Sequence, residues 1–281
     1  MSDFSIGIIL DSFRKPIPEA LSIARQLGAQ GVQVYATCGD MAPENLTGQR
    51  RRDFLQLVKD NGLRISALCG DLGRGFGNPE LNPELIRRSK LILEMAKELE
   101  TDVVTTHIGV VPGDRKHPRY AVMQDACGEL AAYADSLNAH FAIETGPETS
   151  ATLRAFLDGL HSTGVAVNLD PANLVMVTGD DPVQAVHNLA PYIVHTHAKD
   201  GVRISCVDPE IIYGITNGDS HPGGKPAFEE VPLGKGSVPY DAYLNALREI
   251  GYHGFLTIER EVGSNPTADI ELAVNFLKER I

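Results

Sequence analysis

Five apolar runs of the chain each close on a residue able to bind a metal ion or carry a proton. "VVTTHIG" reaches His107, "HFAIETG" Glu144, "VAVNLDPAN" Asp170, "IVHTHAKD" His197 and "FLTIERE" Glu259. A lone carboxylate behind a strand is ordinarily a turn residue or a helix cap. Ligand-type side chains at the same place in four successive runs are a pattern that turn chemistry does not produce. Three carboxylates and one imidazole suit a hard or borderline divalent ion with open positions. Mn²⁺ is preferred on that donor set, with Mg²⁺, Co²⁺ and Zn²⁺ also compatible.

"VHTHAKD" offers two histidines at strand spacing, which point the same way. Parity along the neighbouring runs separates them. Two residues before each ligand-type position stand Thr105, Ala142, Asn168, His195 and Thr257, all small or polar, where a purely structural barrel layer favours branched apolar residues. The intervening Ile143, Leu169 and Ile258 are apolar, as expected beneath helices. His197 is therefore read as a ligand, level with Glu144, Asp170 and Glu259. His195 and Asn168 lie one layer deeper, able to orient the ligands by hydrogen bonds.

Positioning such a ring takes strands that share one end. Strands are expected at 5–10, 32–35, 63–68, 103–107, 141–144, 165–170, 193–197 and 255–259, alternating with amphipathic helical stretches such as "PELIRRSKLILEMAKELE". Pro83 suits a first helical turn with Asn82 as its cap, and the last helix opens "SNPTADIE" in the same way. Eight β–α units over 281 residues, with no linker, make the fold class α/β, a single (β/α)8 TIM barrel spanning residues 1–281. The loops agree. Turns entering strands are short ("NG", "NA", "STG"), while segments leaving them are long, above all the excursion from Lys199 to about Val238. A barrel working at its C-terminal face has that asymmetry.

Composition narrows the function. The net charge is −12, with "RRR" at Arg50–Arg52 the one basic cluster, read as a solvated helix face. An acidic chain is a poor nucleic-acid binder, because phosphate neutralisation supplies most of that affinity. No apolar stretch approaches the roughly 20 residues of a membrane span. "MSDFSIGIIL" reads as a first strand and not as a signal peptide, so a cytoplasmic protein is expected. Cys38, Cys69, Cys127 and Cys206 lie far apart and are read as reduced thiols.

"AIETG", "NLDPAN", "HAKDG", "VPLGKG" and "LTIERE", in that order, make the chain resemble the xylose-isomerase-like superfamily of sugar isomerases and epimerases over essentially its whole length. The resemblance implies a barrel holding one divalent metal ion through Glu144, Asp170, His197 and Glu259. Its ketose 3-epimerase branch places a substrate-contacting arginine six residues beyond the histidine, a spacing that Arg203 has. That branch also places a histidine three residues after the aspartate, where this chain carries Asn173, a departure that leaves the substrate open. Endonuclease IV shares the fold, but it is a trinuclear zinc enzyme needing further histidines, one of which Asn173 replaces.

The expected activity is metal-dependent isomerisation or epimerisation of a ketose or keto-sugar through an enediolate, with Glu144 and Glu259 as acid and base. His107, Arg203, Lys199 and Asn173 are the expected substrate contacts. The same constellation would serve a dehydratase of a keto-polyol such as an inosose. A barrel that binds sugar without turnover is a further alternative, against which the intact glutamate pair argues. The expected partners are a small sugar substrate and further copies of the chain, as a dimer or tetramer, with neither nucleic acid nor membrane.

Overall fold

The computed structural model describes residues 3–281; Met1 and Ser2 of the expected domain lie outside the described residues. Seven parallel strands follow one another, β1 (Ser5–Ile9), β2 (Gly31–Tyr35), β3 (Arg64–Cys69), β4 (Val103–Thr106), β5 (His140–Glu144), β6 (Val165–Leu169) and β7 (Ile193–Ala198). An antiparallel pair comes next, β8 (Asp200–Arg203) and β9 (Phe228–Val231), and then β10 (Phe255–Ile258). β10 pairs with both β7 and β1, which closes an eight-stranded barrel. The expected strand positions hold to within one or two residues. The β8–β9 pair inside the long excursion was not expected.

Eight helices cover the outside: α1 (Ile17–Leu27), α2 (Gly48–Asp60), α3 (Asn82–Glu98), α4 (Pro118–Ser136), α5 (Ser150–Asp158), α7 (Pro182–Leu189), α9 (Tyr240–Glu249) and α10 (Pro266–Lys278). Two short ones, α6 (Pro171–Asn173) and α8 (Pro209–Ile212), lie in segments leaving strands. The apolar core sits between barrel and helices, where Ile8, Val34, Leu68, Phe141, Val167 and Ile258 meet Leu21, Ile92, Leu130 and Val274, all buried. Burying such side chains is the main drive to fold.

Local chemistry explains most helix starts. Asn265 accepts from the Ala268 N–H, capping α10 as expected. Asn82 does not cap α3: Leu81 holds the cap position, and the Asn82 amide donates inward to the Phe76 carbonyl at 3.1 Å. The "RRR" face is not uniformly solvated either. Arg51 is buried, bonded to the Leu46 carbonyl and paired with Glu98 at 2.7 Å, while Arg50 and Arg52 are exposed. All four cysteines are free.

The excursion after β7 is pinned at its base by one side chain. The buried Asp200 carboxylate accepts from the backbone N–H groups of Gly201, Gly234, Gly236 and Val238 at 2.9–3.1 Å. Gly236 is required there, since a Cβ would lie 2.1 Å from Asp200 Oδ1. Thus "HAKDG" and "VPLGKG" are two halves of one clamp.

Candidate metal centre

Strand register first sets heights. Glu144 pairs with Asn168, Asn168 with His195, and His197 with Thr257. The ligand-type residues are therefore not all partners across the ladders; strand tilt brings successive strand ends to one level at the axis. There Glu144, Asp170, His197 and Glu259 each offer a donor atom, all within 4.8 Å of one another, and all four side chains are buried.

His197 is fixed from below by a residue the sequence reading passed over. Gln33, on β2, donates through Nε2 to Thr105 Oγ1 at 3.1 Å, which turns its Oε1 toward His197 Nε2, also 3.1 Å away. Asn168 Nδ2 also lies 3.1 Å from Nε2, but that amide donates to Glu144, so with Gln33 as the acceptor the proton is on Nε2 and Nδ1 faces carboxylate oxygens of Glu259, Asp170 and Glu144 at 3.2, 3.3 and 3.5 Å. A lone pair among three carboxylates is a poor arrangement unless positive charge lies between them. The carboxylates in fact hold His197 well above its ordinary range, although burial opposes this, with Glu144 and Glu259 the main contributors. The spot selects for a cation, and a divalent ion with neutral His197 fits the donor set.

The layer beneath is polar, buried and hydrogen-bonded. His195 Nδ1 donates to Asn168 Oδ1 at 2.8 Å, and His195 Nε2 accepts from Thr257 Oγ1 at 2.9 Å. Burial, with His197 alongside, pushes His195 down to about 3, so it is neutral. Asn168 Nδ2 donates in turn to Glu144 Oε2 at 3.0 Å. His195 therefore acts on the ligands through Asn168. Asp170 has two duties: its Oδ1 accepts the Asn173 N–H that starts α6, and its Oδ2 faces His197.

Asn173, expected at the substrate, donates its amide to Glu144 Oε1 at 3.1 Å and to the Thr145 carbonyl at 3.3 Å. Gly146, at φ 144°, makes room for it, since a Cβ would come within 2.5 Å of the Asn173 Cβ. His107 lines the cavity with Nε2 3.4 Å from Glu144 Oε1; Glu144 and Asp71 hold it up to about 9 against burial. Lys199 is buried and donates to Glu259 Oε2 at 3.0 Å and to Glu261. Against burial, Lys199 and then His197 hold Glu259 down to about 2. Arg203 is not brought to the cavity: it donates to the Thr178 carbonyl and to Cys206 Sγ.

Sequence reasoning missed Gln33, Glu230 and Glu261. A glutamine amid the apolar "GVQVY" strand was the available signal for the first. Glu230 arrives on β9, pairs with Arg260 at 2.6 Å and accepts the Glu261 N–H, which ties the excursion to the end of β10.

Above these residues opens a cavity of about 590 Å³. Gln33, Asp71, His107, Glu144, His197 and Glu259 form its polar side. Met176, Val177, Ile212, Tyr213 and Phe228 form an apolar stretch of its wall. The Tyr213 ring lies 6.4 Å from that of His107, so the excursion covers part of the mouth.

No curated protein sequence matches the chain. Among solved structures, a xylose isomerase domain protein from Planctomyces limnophilus shares 25% identity over 98% of this chain and 96% of its own, with a TM-score of 0.79. The probable 3-DHS dehydratase AsbF from Bacillus anthracis superposes with a TM-score of 0.72 at 20% identity, over 99% of this chain and all of its own (100%). A D-psicose 3-epimerase determined in the presence of D-fructose does so with a TM-score of 0.74 at 16% identity, over 99% of both chains. The last two likenesses speak to the fold alone. The family model for a xylose isomerase-like TIM barrel matches residues 21–280, so a closed barrel bearing a buried Glu–Asp–His–Glu cluster has a family to sit in. The chain belongs to the xylose isomerase-like TIM barrels.

Proposed function

We propose that the protein is a divalent-metal-dependent isomerase or epimerase of a ketose or keto-sugar, with Glu144 and Glu259 as its acid and base. The observation that carries this reading is the convergence of four ligand-type donors within 4.8 Å on the cavity floor. Glu144, Asp170, His197 and Glu259 would hold the ion, with Mn²⁺ preferred and Mg²⁺, Co²⁺ or Zn²⁺ admissible. When bound, the ion supplies Lewis acidity to a substrate carbonyl and the neighbouring hydroxyl.

The chain's own groups do the proton work. Glu144 and Glu259 are both held below the ordinary carboxylate range by the neighbouring His197, His107 and Lys199 cations, against burial, so each is in the ionised form that a base needs. One removes the proton beside the carbonyl to give an enediolate; the other, once it has taken up a proton from solvent, returns it from the opposite face and inverts that carbon, and the first then releases its proton to solvent. Return to the adjacent carbon gives aldose–ketose isomerisation instead. His107 faces substrate oxygens from the Glu144 side, and Lys199 keeps Glu259 aimed and charged. Asn173 acts mainly through Glu144, and Arg203 through the loop it holds. We place this activity in the cytoplasm, on a homo-oligomer, with no role in nucleic-acid binding.

The test is a screen of keto-sugars, sugar acids and inososes by NMR in D₂O, with metal content measured in parallel. Deuterium should enter at the carbon whose configuration or oxidation level changes, and Glu144→Gln or Glu259→Gln should lose roughly 10²–10⁴-fold in rate. Retention of the substrate hydrogen throughout would rule out the enediolate. A dehydratase of a keto-polyol such as an inosose is the second reading. His107, on the cavity wall beside Glu144, would then protonate the departing β-hydroxyl. An enone absorbing in the ultraviolet would identify it.

A further inference from the structure

The apolar stretch of the cavity wall has no part in the chemistry above, yet it supplies five of the lining residues. Met176 and Val177 come from the turn after α6, Ile212 and Tyr213 from the end of α8, and Phe228 from β9. Tyr213 is 38% exposed although its ring lies 6.4 Å from that of His107, which itself touches Glu144. An apolar surface thus begins one ring away from the ligand cluster. At about 590 Å³ the cavity falls in the range that holds drug-sized ligands, well beyond a single six-carbon sugar.

Charge supplies a second, independent restriction. Asp71, Glu144, Glu229, Glu230, Glu259 and Glu261 line the cavity, with Asp170 beneath. The lining cations are already matched: Lys199 by Glu259 and Glu261, and Arg260 by Glu230 and Asp269 at 2.6 and 2.8 Å. Even a divalent ion and a protonated His107 leave the carboxylates in excess. A phosphate or carboxylate entering this field would be repelled and would find no unmatched lysine or arginine among the described lining residues.

We propose that the substrate is an uncharged keto-sugar carrying an apolar substituent, a keto-glycoside, whose sugar faces the Glu–Asp–His–Glu cluster and whose substituent packs on the Tyr213–Phe228–Met176 wall. The inference rests on the sugar reading above and narrows it. A substituent on the anomeric oxygen blocks the anomeric carbon, so the carbonyl that the proton transfer needs must lie on a ring carbon beside a free hydroxyl. Sugar acids, sugar phosphates and 3-dehydroshikimate-like carboxylates are excluded on charge.

Binding without turnover tests this. Mn²⁺-loaded protein is titrated calorimetrically with a ring ketone of glucose, its phosphomonoester, and its methyl and phenyl glycosides. The phenyl glycoside should bind about tenfold tighter than the methyl, the gain of one well-packed aromatic contact, and the phosphomonoester should bind weakest. Tyr213→Ala should remove the phenyl preference and leave the methyl glycoside's affinity unchanged, and Tyr213→Phe should keep both. Equal affinity for all four compounds, or tightest binding of the phosphomonoester, overturns the proposal while the sugar reading stands. A phenyl preference unmoved by Tyr213→Ala overturns the assigned wall. If none of the four binds, the sugar reading fails and this proposal with it.

Discussion

Asn168 is where His195, the first histidine of "VHTHAKD", reaches the candidate metal centre, and its replacement is the most informative perturbation. Asn168→Leu keeps the branched shape and removes the hydrogen bonds to Glu144 and His195, along with the amide contact to His197 Nε2 at 3.1 Å. Glu144 Oε2 loses its amide donor at 3.0 Å, and the buried His195 Nδ1–H loses its acceptor at 2.8 Å. A bond to a charged group contributes about 1.5–3 kcal/mol and an unsatisfied buried donor costs about 1–3 kcal/mol, so about 3–5 kcal/mol of folding stability should go. Glu144 keeps Asn173 on its other oxygen, so the ligand is loosened and not freed. Metal affinity should fall roughly 10–100-fold, the usual effect of removing a group that orients a ligand. Urea unfolding in chelator measures the first quantity, and Mn²⁺ titration against a competing chelator the second. His195→Phe in the Asn168→Leu background should add little, because the lost donor is already unpaired, giving a coupling of about 1–3 kcal/mol. Wild-type Mn²⁺ affinity in Asn168→Leu, or strict additivity with His195→Phe, would refute the relay from His195 through Asn168 to Glu144.

The two histidines themselves should part company: His197→Ala loses most bound metal by elemental analysis, while His195→Ala keeps it with roughly 10–100-fold weaker binding. Glu148 is buried, accepts the Val111 N–H, and is pushed by burial from its ordinary 4.5 up to about 8. Between those values the folded protein holds a proton that the unfolded chain has released, so stability falls as pH rises from 4.5 to 8, by at most about 5 kcal/mol. Glu148→Gln should therefore melt several degrees higher than the parent at pH 8 and about level with it at pH 4.5; equal melting curves at both values would count against a buried neutral carboxyl. Asp200→Ala frees four backbone donors and should make the 199–238 segment cleavable by limited proteolysis under conditions where the parent resists. An unchanged digestion pattern would mean the clamp is redundant.

The barrel was legible because alternation along each strand is a strong, local signal, and the buried Glu–Asp–His–Glu cluster because its residue types recur at four strand ends. Asn168 and His195 could be placed by counting back two. Gln33 escaped because it stands far in sequence from the His197 it faces; its place in the apolar "GVQVY" strand marks it as unusual but does not name its partner. Asn82 followed the usual cap pattern, but a nearer acceptor, the Phe76 carbonyl, took its amide inward. Arg203 had the right spacing from His197, yet β8 carries it outward to the Thr178 carbonyl. The β8–β9 pair is short, polar and separated by a long glycine- and proline-rich segment, so neither strand announces the other. Its pairing depends on Asp200 and the "VPLGKG" amides, contacts that exist only once the chain has folded back.

That anchorage also uncouples the length of the excursion from the geometry of the barrel. Because Asp200 gathers Gly234, Gly236 and Val238 at the foot of the excursion, the ends of the intervening segment are held together whatever lies between them. The entropy of closing such a loop grows only slowly with its length, so residues between β8 and β9 can be inserted, lost or exchanged at small thermodynamic expense. Ile212 and Tyr213 belong to that interchangeable stretch, whereas Glu144, Asp170, His197 and Glu259 belong to the barrel. The fold thus behaves as a fixed head with a replaceable faceplate: the plate can be remodelled while the Glu–Asp–His–Glu cluster stays where it is.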